Sequence, residues 1–224
     1  SNYQASSIPD FVNDLRVDIR NSDKVKSCIK EIQPDFVFHL AAKALVKHSY
    51  NNPIDTFTSN VIGTINILDG LKGTDKKIIT VMITSDKAYD NLEWPWGYRE
   101  NDRLGGKDPY SASKGMAELA IHSYVNSFFS TSDSNIRIGV ARAGNVIGGG
   151  DWASDRIVPD CMVAWANDKV VKIRSPNSTR PWQHVLEPLS GYLCLAKNLN
   201  LESKNHGEAY NFGPPADQNY SVSE

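Results

Sequence analysis

Three apolar runs of strand length constrain the fold of this chain more than any other feature. They cover residues 35–42, 78–83 and 136–143, and polar side chains rarely interrupt them. Such runs are typical of parallel strands that are buried on both faces of a sheet. The intervening residues 54–69 and 110–125 place apolar side chains at helical spacing. This alternation predicts an α/β fold, a doubly wound parallel sheet with right-handed crossovers and helices on both faces.

Shorter elements flank these runs. Residues 15–20 have the pattern of a short strand, and Asn21 or Ser22 can cap a helix that runs to about residue 32, before Pro34. Residues 88–108 form a loop that is too long to be a simple connector. After residue 150 the pattern predicts helices at 157–166 and 189–199, a short strand at 170–174 and the edge of another element at 184–185.

The composition excludes several classes of partner. The net charge is −2, the mean hydropathy is −0.41, and the basic residues form no cluster suited to nucleic acid or an anionic membrane. No apolar run approaches the roughly 18 residues that cross a bilayer, and the N-terminus has no signal-peptide pattern. Cys28, Cys161 and Cys194 lie far apart, which suggests neither disulfides nor a metal site. We therefore expect a cytoplasmic protein without metal, nucleic acid or membrane partners.

Tyr110 and Lys114 are the first candidates for chemistry. Pro109 fits the first position of a helix, in which Tyr110 and Lys114 then share a face. A phenol has a pKa near about 10, and a fixed positive charge one turn away favours its ionised form. A lone Tyr-x-x-x-Lys is more often an amphipathic core tyrosine with a solvated lysine. The apolar side of this helix is predicted to carry Ala112, Met116, Leu119, Ala120 and Tyr124.

The residues at the ends of the predicted strands favour a catalytic role for Tyr110 and Lys114. Ala41 and Ala42, Ser85 and Asn145 follow three different buried runs, and parallel sheets bind ligands at the carboxyl ends of their strands. Ser85 can bond a substrate hydroxyl while Tyr110 removes its proton, a step that normally accompanies hydride transfer to a nicotinamide. Asp86 and Lys87 add a second acid/base pair, which alcohol oxidation alone does not need.

These residues carry a resemblance to the extended short-chain dehydrogenase/reductase superfamily, and within it to the nucleotide-sugar 4,6-dehydratases. Together the matching segments span most of the chain in the order of the family, and the segment at 142–152 is the most specific. They are HLAA at 39–42, NVIGT at 60–64, TSDK at 84–87, YSASK at 110–114, RAGNVIGGGDW at 142–152, DRIVPD at 155–160 and RPWQHV at 180–185.

The resemblance implies an internal redox cycle. Tyr110 would deprotonate the sugar 4-hydroxyl as hydride passes from C4 to NAD, water would leave across C5 and C6, and the hydride would return to C6. Asp86 matches the acid for the leaving 6-hydroxyl, and Lys87 stands where many members carry a glutamate as the C5 base. A lysine at position 87 is a point of resemblance to the branch of the family that acts on CDP-glucose. It can be a base only if its pKa falls from about 10.4, and the alternative is that Lys87 merely pairs with Asp86.

The resemblance also implies binding residues. For NAD they are Asp18, Ile19, Leu40, Ala41, Ala42, Lys43, Asn60, Thr84, Tyr110 and Lys114. For the nucleotide sugar they are Ser85, Asn145, Arg156, Ile157 and Arg180. Residues 54–69 and the Tyr110 helix are implied to pair in a homodimer.

Two portions follow from the resemblance. Residues 1–150 would form a Rossmann-like, NAD-binding portion that lacks the first βα unit with its glycine-rich phosphate loop, since the first glycine is Gly63. Residues 151–224 would form part of a smaller mixed α/β portion for the nucleotide sugar. We therefore expect a fragment with weak NAD binding. The alternatives are another nucleotide-sugar 4,6-dehydratase, a 4-epimerase or reductase, or a non-catalytic nucleotide-sugar-binding module.

Overall fold

The structure is a computed structural model that describes residues 2–131, 134–218 and 220–224. The strands are β1 (Phe36–His39), β2 (Ile78–Ile83), β3 (Ile136–Ala143), β4 (Val146–Ile147), β5 (Thr179–Arg180), β6 (Gln183–His184), β7 (Ala209–Phe212) and β8 (Tyr220–Ser221). The α-helices are α1 (Asn2–Ala5), α2 (Ser22–Ile32), α3 (Val46–Asn51), α4 (Pro53–Phe57), α5 (Gly63–Leu71), α6 (Pro109–Tyr124), α7 (Ile157–Trp165) and α8 (Leu186–Leu201). Short 3-10 turns lie at Ile8–Asp10 and Asp86–Ala88, and π-helical turns at Thr58–Ile62 and Val125–Phe129.

The central sheet has the order β1-β2-β3-β7, and all three pairings are parallel. Alternate residues of β2 enter two different cores, because successive side chains of a strand point to opposite faces. On one face Ile78 and Met82 pack with Leu68 of α5 and Ile121 of α6. On the other face the sheet packs against α8. The Rossmann-like parallel fold predicted from the apolar runs is therefore confirmed.

The predicted helices and two of the three predicted buried strands agree closely with the structure, whereas the strand predicted at 35–42 is only Phe36–His39. β2 and β3 have the bounds expected from their apolar runs. The side chain of Asn21 caps α2 by accepting a hydrogen bond from the backbone N–H of Lys24, and Gln33 ends α2 in a left-handed conformation with φ 45°. The long predicted helix after Pro53 is α4, a π-helical turn and α5 in succession.

Two predicted strands are wrong. Residues 15–20 and 170–174 form no ladder with any described strand, and an extended segment without a partner is not a strand. Residues 15–20 instead pass over α5, where the Asn66 side chain donates to the Ile19 carbonyl oxygen at 2.8 Å. β7 was not predicted, because its four residues carry too little pattern to identify a strand.

Two predicted burial patterns also need correction. β1 stands at the edge of the described sheet, so Phe36 is exposed and the strand is not buried on both faces. On α6, Met116 and Leu119 are 47% and 60% exposed, so the predicted apolar side faces outward. The buried side of α6 carries Tyr110, Lys114, Ala117 and Ile121. The helix thus buries its candidate functional residues and leaves an apolar stripe uncovered.

The division at residue 150 stays a prediction. β7 and α8 follow that point in the chain, yet β7 pairs with β3 and α8 packs on the central sheet. The two small sheets, β4 with β6 and β5 with β8, lie beyond the carboxyl end of β3. Across the described residues, no helix has the length and apolar character that a membrane crossing requires.

Candidate active site

A cleft of about 1040 Å³ opens beyond the carboxyl ends of β2 and β3. Its walls come from the 85–87 turn, the start of α6, the segment after β3 and the loops around α7. It has the position that ligand sites take in parallel α/β sheets. The cleft brings together nine residues predicted from the sequence, Thr84, Ser85, Asp86, Lys87, Tyr110, Asn145, Arg156, Ile157 and Arg180.

Ser85 organises the turn that follows β2. Its hydroxyl donates to Asp86 Oδ1 at 2.9 Å and accepts from the backbone N–H of Lys87 at 3.2 Å. Ser85 is thereby the N-cap of the 3-10 turn Asp86–Ala88. The turn buries Ser85 and leaves Lys87 exposed in the cleft. Within the described residues Lys87 forms no ion pair with Asp86, so the interpretation of Lys87 as a simple partner of Asp86 is not supported.

Tyr110 is fixed at the first turn of α6. Asp108 caps the helix by accepting from the backbone N–H of Ser111 at 3.0 Å, and the Tyr110 N–H donates to Ser49 Oγ at 3.2 Å. Burial raises the pKa of the Tyr110 hydroxyl, the hydrogen bond with Ser85 acts in the opposite direction, and the charge of Asp86 raises it further. Burial is the largest influence on this pKa, so its net shift in the ligand-free protein is opposite to the one expected from a nearby positive charge.

Lys114 lies beneath Tyr110 and is 6% exposed. Burial lowers the pKa of its amine to about 8, and the charge of Glu118 acts in the opposite direction. Its Nζ lies 3.5 Å from the carbonyl oxygen of Ile83, at the end of β2. The interpretation of Lys114 as a solvated surface residue is wrong. The amine is still mostly protonated at pH 7, because this pH lies below its pKa.

Basic side chains line the outer part of the cleft. Arg156 Nη1 lies 3.2 Å from Asp151 Oδ2, and the buried Nε of Arg156 has no hydrogen-bond partner within the described part of the chain. Arg180 Nη1 donates to the carbonyl oxygen of Thr179 at 2.7 Å.

Lys47 and Arg174 also line the cleft and were not predicted as site residues. Both approach Asp155 Oδ1, at 3.0 Å for Lys47 Nζ and 2.9 Å for Arg174 Nη1. These pairs hold down the pKa of the Asp155 carboxyl, chiefly through the hydrogen bond from Lys47. Lys47 and Asp155 are far apart in the sequence, so no local sequence pattern could have predicted this ion pair.

The residues predicted for the far end of the cofactor lie outside this cleft. Asp18 is exposed, and the side chain of Arg20 donates to both of its carboxylate oxygens, which lowers the Asp18 pKa to about 2. Leu40 and Ala41 are also exposed, and Ala42 is half-buried beside them. Contact of these residues, and of Ile19, with NAD stays a prediction.

The side chains of Asn60 and Thr84 form hydrogen bonds within the protein. Asn60 Oδ1 accepts from the Lys43 N–H at 2.7 Å, and its Nδ2 donates to Ser113 Oγ at 2.8 Å. Asn60 lies in the π-helical turn, a feature often found at functional sites. Thr84 Oγ1 donates to Glu118 Oε1 at 2.6 Å. The two side chains thus hold the backbone around the site, and Lys43 Nζ itself pairs with Asp55 Oδ2 at 2.9 Å.

The chemistry of the site is that of an acid/base centre without a metal cluster. A tyrosine hydroxyl, a serine hydroxyl and a carboxyl lie together, with a buried ammonium beneath them and guanidinium groups farther out. Across the described residues, no group of His, Cys, Asp and Glu is placed to hold a metal ion. The fold and this arrangement define a Rossmann-like protein with an acid/base cleft at the carboxyl ends of its parallel strands.

Comparisons with known proteins agree with this class. The family model described as GDP-mannose 4,6 dehydratase matches residues 4–200, and the chain belongs to this family. The chain is 50% identical over 200 residues to CDP-glucose 4,6-dehydratase of Salmonella typhimurium, covering 88% of this chain and 56% of that protein. The chain thus spans little more than half of that relative. The resemblance stated from the motifs is confirmed.

Solved structures show the same fold. The DesIV double mutant of Streptomyces venezuelae, a dTDP-glucose 4,6-dehydratase with NAD and DAU bound, superposes with a TM-score of 0.75 at 20% identity, over 89% of this chain and 57% of that chain. UDP-glucuronic acid 4-epimerase of Bacillus cereus, in complex with UDP-glucuronic acid and NAD, has a TM-score of 0.78 at 23% identity, over 99% of this chain and 65% of that chain.

Proposed function

We propose that this chain forms the catalytic part of an NAD-dependent nucleotide-sugar 4,6-dehydratase that converts CDP-glucose to CDP-4-keto-6-deoxyglucose. The observation that carries the proposal is the placement of Asp86 and Lys87 in one cleft with Ser85 and Tyr110. The relative that is 50% identical supports CDP-glucose as the substrate. NAD would supply the acceptor for the C4 hydride and its return to C6.

Tyr110 and Ser85 carry the first step. Ser85 bonds the sugar 4-hydroxyl, and Tyr110 takes its proton as the alcohol is oxidised. Burial raises the pKa of Tyr110, so the phenolate requires positive charge nearby when the ligands bind. Lys114 supplies such a charge from a buried position, and it stays protonated at neutral pH. A buried ammonium beneath Tyr110 and the small side chains Ala41 and Ala42 fit a nicotinamide dinucleotide.

Asp86 and Lys87 carry the elimination. The 4-keto group makes the C5 proton acidic, Lys87 removes this proton, and Asp86 protonates the 6-hydroxyl as water leaves. Lys87 is exposed in the cleft of the ligand-free protein, where a bound sugar can reach its amine.

The outer cleft suits the diphosphate of a nucleotide sugar. Arg156 and Arg180 present guanidinium forks, which bond phosphate oxygens two at a time. The Nε of Arg156 is buried and has no hydrogen-bond partner among the described residues, so the side chain would have to shift to present it to such an oxygen. Arg174 and Lys47 extend the same cationic wall. Asn145 and Ile157 lie between this wall and the reacting end of the cleft, where we assign them to the substrate.

The test uses the complete natural protein with NAD and CDP-, dTDP-, UDP- and GDP-glucose. We expect the 4-keto-6-deoxy product from CDP-glucose, with one solvent deuterium incorporated at C5. A 4-epimer without C5 exchange would favour the epimerase alternative. Lack of product from every sugar, with NAD bound, would refute the dehydratase proposal. If the Lys87→Ala variant exchanged the C5 proton at the wild-type rate, Lys87 would be excluded as the base. The matched control is Lys24→Ala on the remote helix α2.

We further propose a homodimer that covers the outward stripe of α6. Met116 and Leu119 are exposed there, and Ile54 and Ile62 are exposed on the neighbouring helical segment. A contiguous apolar surface of this kind marks an interaction site.

A cytoplasmic location also stays a prediction from the sequence.

A further inference from the structure

A buried ion pair between Arg142 and Glu118 lies behind the candidate active site. Arg142 is the next-to-last residue of β3, Glu118 is in the middle of α6, and their side chains are 5% and 3% exposed. Arg142 Nε donates to both carboxylate oxygens of Glu118, at 2.7 Å and 2.9 Å, and Nη2 bonds Oε2 as well. The pair thus joins the strand that leads to Asn145 to the helix that carries Tyr110 and Lys114.

Both ends of this pair bond residues that flank the Ser85–Lys87 turn. Thr84, directly before the turn, donates its hydroxyl to Glu118 Oε1 at 2.6 Å. Tyr89, two residues after it, accepts from Arg142 Nη1 at 2.6 Å, and the guanidinium lies 4.8 Å from its ring centroid. The catalytic turn is therefore held on both sides by one buried pair.

The helix also approaches this turn closely. A Cβ atom at Gly115 would lie 2.9 Å from the Gly105 carbonyl oxygen and 3.3 Å from that of Ala88, so a side chain there would push the turn away. The Gly105 N–H donates to the same Ala88 oxygen at 2.8 Å. Tyr110, Lys114 and Glu118 recur every four residues and share the helix face that meets the turn.

Stability alone does not account for this arrangement. Well-packed apolar side chains in place of a buried ion pair are often as stable, because both charges lose their hydration. The best-attested use of such a pair is to select one geometry among alternatives. Here the hydrogen bonds of the pair to Thr84 and Tyr89, one on each side of the turn, favour one placement of the turn against α6.

We infer that the Arg142–Glu118 pair, with Thr84 and Tyr89, is a positioning node that fixes the Ser85–Lys87 turn against Tyr110. The expected consequence, that a displaced turn slows turnover, rests on the proposed function. The positioning residues do not touch the substrate. A misplacement on the order of 1 Å can lower a rate by about a hundredfold, because acid and base no longer meet the reacting atoms.

Two conservative substitutions test the node, each with a matched control. Thr84→Val removes the hydroxyl that bonds Glu118, and Thr80→Val removes a buried hydroxyl from the same strand that has no partner among the described residues. Tyr89→Phe removes the hydroxyl that bonds Arg142 and that also donates to Asn211 Oδ1. Tyr98→Phe removes a hydroxyl whose partners among the described residues are Asn91 and Leu92 of the same loop. None of the four changes leaves a charge buried without a partner.

The measurements use the complete natural protein with NAD. We expect kcat for Thr84→Val and Tyr89→Phe, per NAD-binding site, to fall about tenfold to a hundredfold. KM for the nucleotide sugar and Kd for NAD should stay unchanged, which separates positioning from loss of a cofactor contact at Thr84. Amide hydrogens of residues 85–89 should exchange faster in both variants. The controls should match the wild type in every measurement.

Two results separate the inference from the proposed function. Variants that match their controls in kcat and in amide exchange, in a wild-type protein that makes product, overturn the node and leave the function in place. A wild-type protein that makes no product from any nucleotide sugar refutes the function. The amide exchange then decides the inference alone, since faster exchange at residues 85–89 supports the node and equal exchange overturns it.

Discussion

Acidifying the protein below pH 6.5 is expected to lower its stability through His39. This residue ends β1 and is 7% exposed. Its Nε2 lies 3.1 Å from Thr64 Oγ1, and the Thr64 hydroxyl donates to the Asn60 carbonyl oxygen at 2.7 Å. Because that bond uses the hydroxyl proton, the His39 Nε2 carries a hydrogen and donates it to Thr64 Oγ1. Burial, assisted by the Lys114 charge, lowers the pKa of His39 to about 4.

The magnitude follows from the difference between the folded and unfolded pKa. The unfolded chain binds a proton at His39 near pH 6.5, and the folded protein does so only near pH 4. The contribution of His39 to stability is therefore complete above pH 6.5 and decreases as the pH falls toward 4. Each pH unit in this window is worth about 1.36 kcal/mol, so the loss is about 2 kcal/mol at pH 5 and about 3.4 kcal/mol below pH 4.

The assay is urea unfolding of the complete natural protein at pH 7, 6 and 5, followed by circular dichroism. His39→Gln keeps an amide that can donate to Thr64 but cannot titrate, and His122→Gln at an exposed position of α6 is the control. His206, whose pKa is also lowered by burial, is present in all three proteins and cancels from the comparison.

The free energy of unfolding of the wild type should fall relative to His39→Gln by about 2 kcal/mol between pH 7 and pH 5. His122→Gln should follow the wild type. Equal pH dependence of the wild type and His39→Gln would refute the argument, because it would mean that His39 takes up its proton equally in both states.

Three further perturbations have defined outcomes. Tyr110→Phe should lower kcat by about 10² to 10⁴, with unchanged binding of the nucleotide sugar by calorimetry, because the base is lost and the ring is kept; a smaller loss would contradict its role. Gly191→Ala should lower the free energy of unfolding by about 1–3 kcal/mol in urea denaturation, because the added Cβ would lie 2.2 Å from the Phe212 ring. Gly97→Ala is the control and should be neutral in the same assay, because a Cβ there would have nothing within 4 Å. Leu119→Lys should shift the protein from dimer to monomer in analytical ultracentrifugation, and an unshifted dimer would exclude this face.

The parts of the fold that depend on local pattern could be predicted from the sequence. The apolar runs gave β2 and β3 their correct bounds, because a strand buried on both faces has to be apolar throughout. Asn21 and Pro109 marked two helix starts through capping and a fixed φ. The strand expected at residues 15–20 failed, since pairing with a neighbour is a property of the tertiary fold.

The composition of the site was predictable and its electrostatics were not. Family motifs placed Ser85, Asp86, Tyr110 and Arg156 together correctly. The sequence places Lys114 one turn from Tyr110 but cannot show that both are buried, and burial reverses the expected shift of the Tyr110 pKa. Periodicity predicted the apolar side of α6 but not its exposure, because it identifies an apolar face without identifying what covers it.

The Asp155 contacts bear on how the cleft selects among anions in solution. Lys47 and Arg174 already share the Asp155 carboxylate, and Arg156 has Asp151 beside it. At Lys47, Arg174 and Arg156 an incoming phosphate would therefore exchange one counter-ion for another. Such an exchange returns little energy to a small mobile anion, which can replace only one contact at a time. A diphosphate that reaches several cations at once would gain from each, so we expect the acidic residues to discriminate against inorganic ions that share its charge.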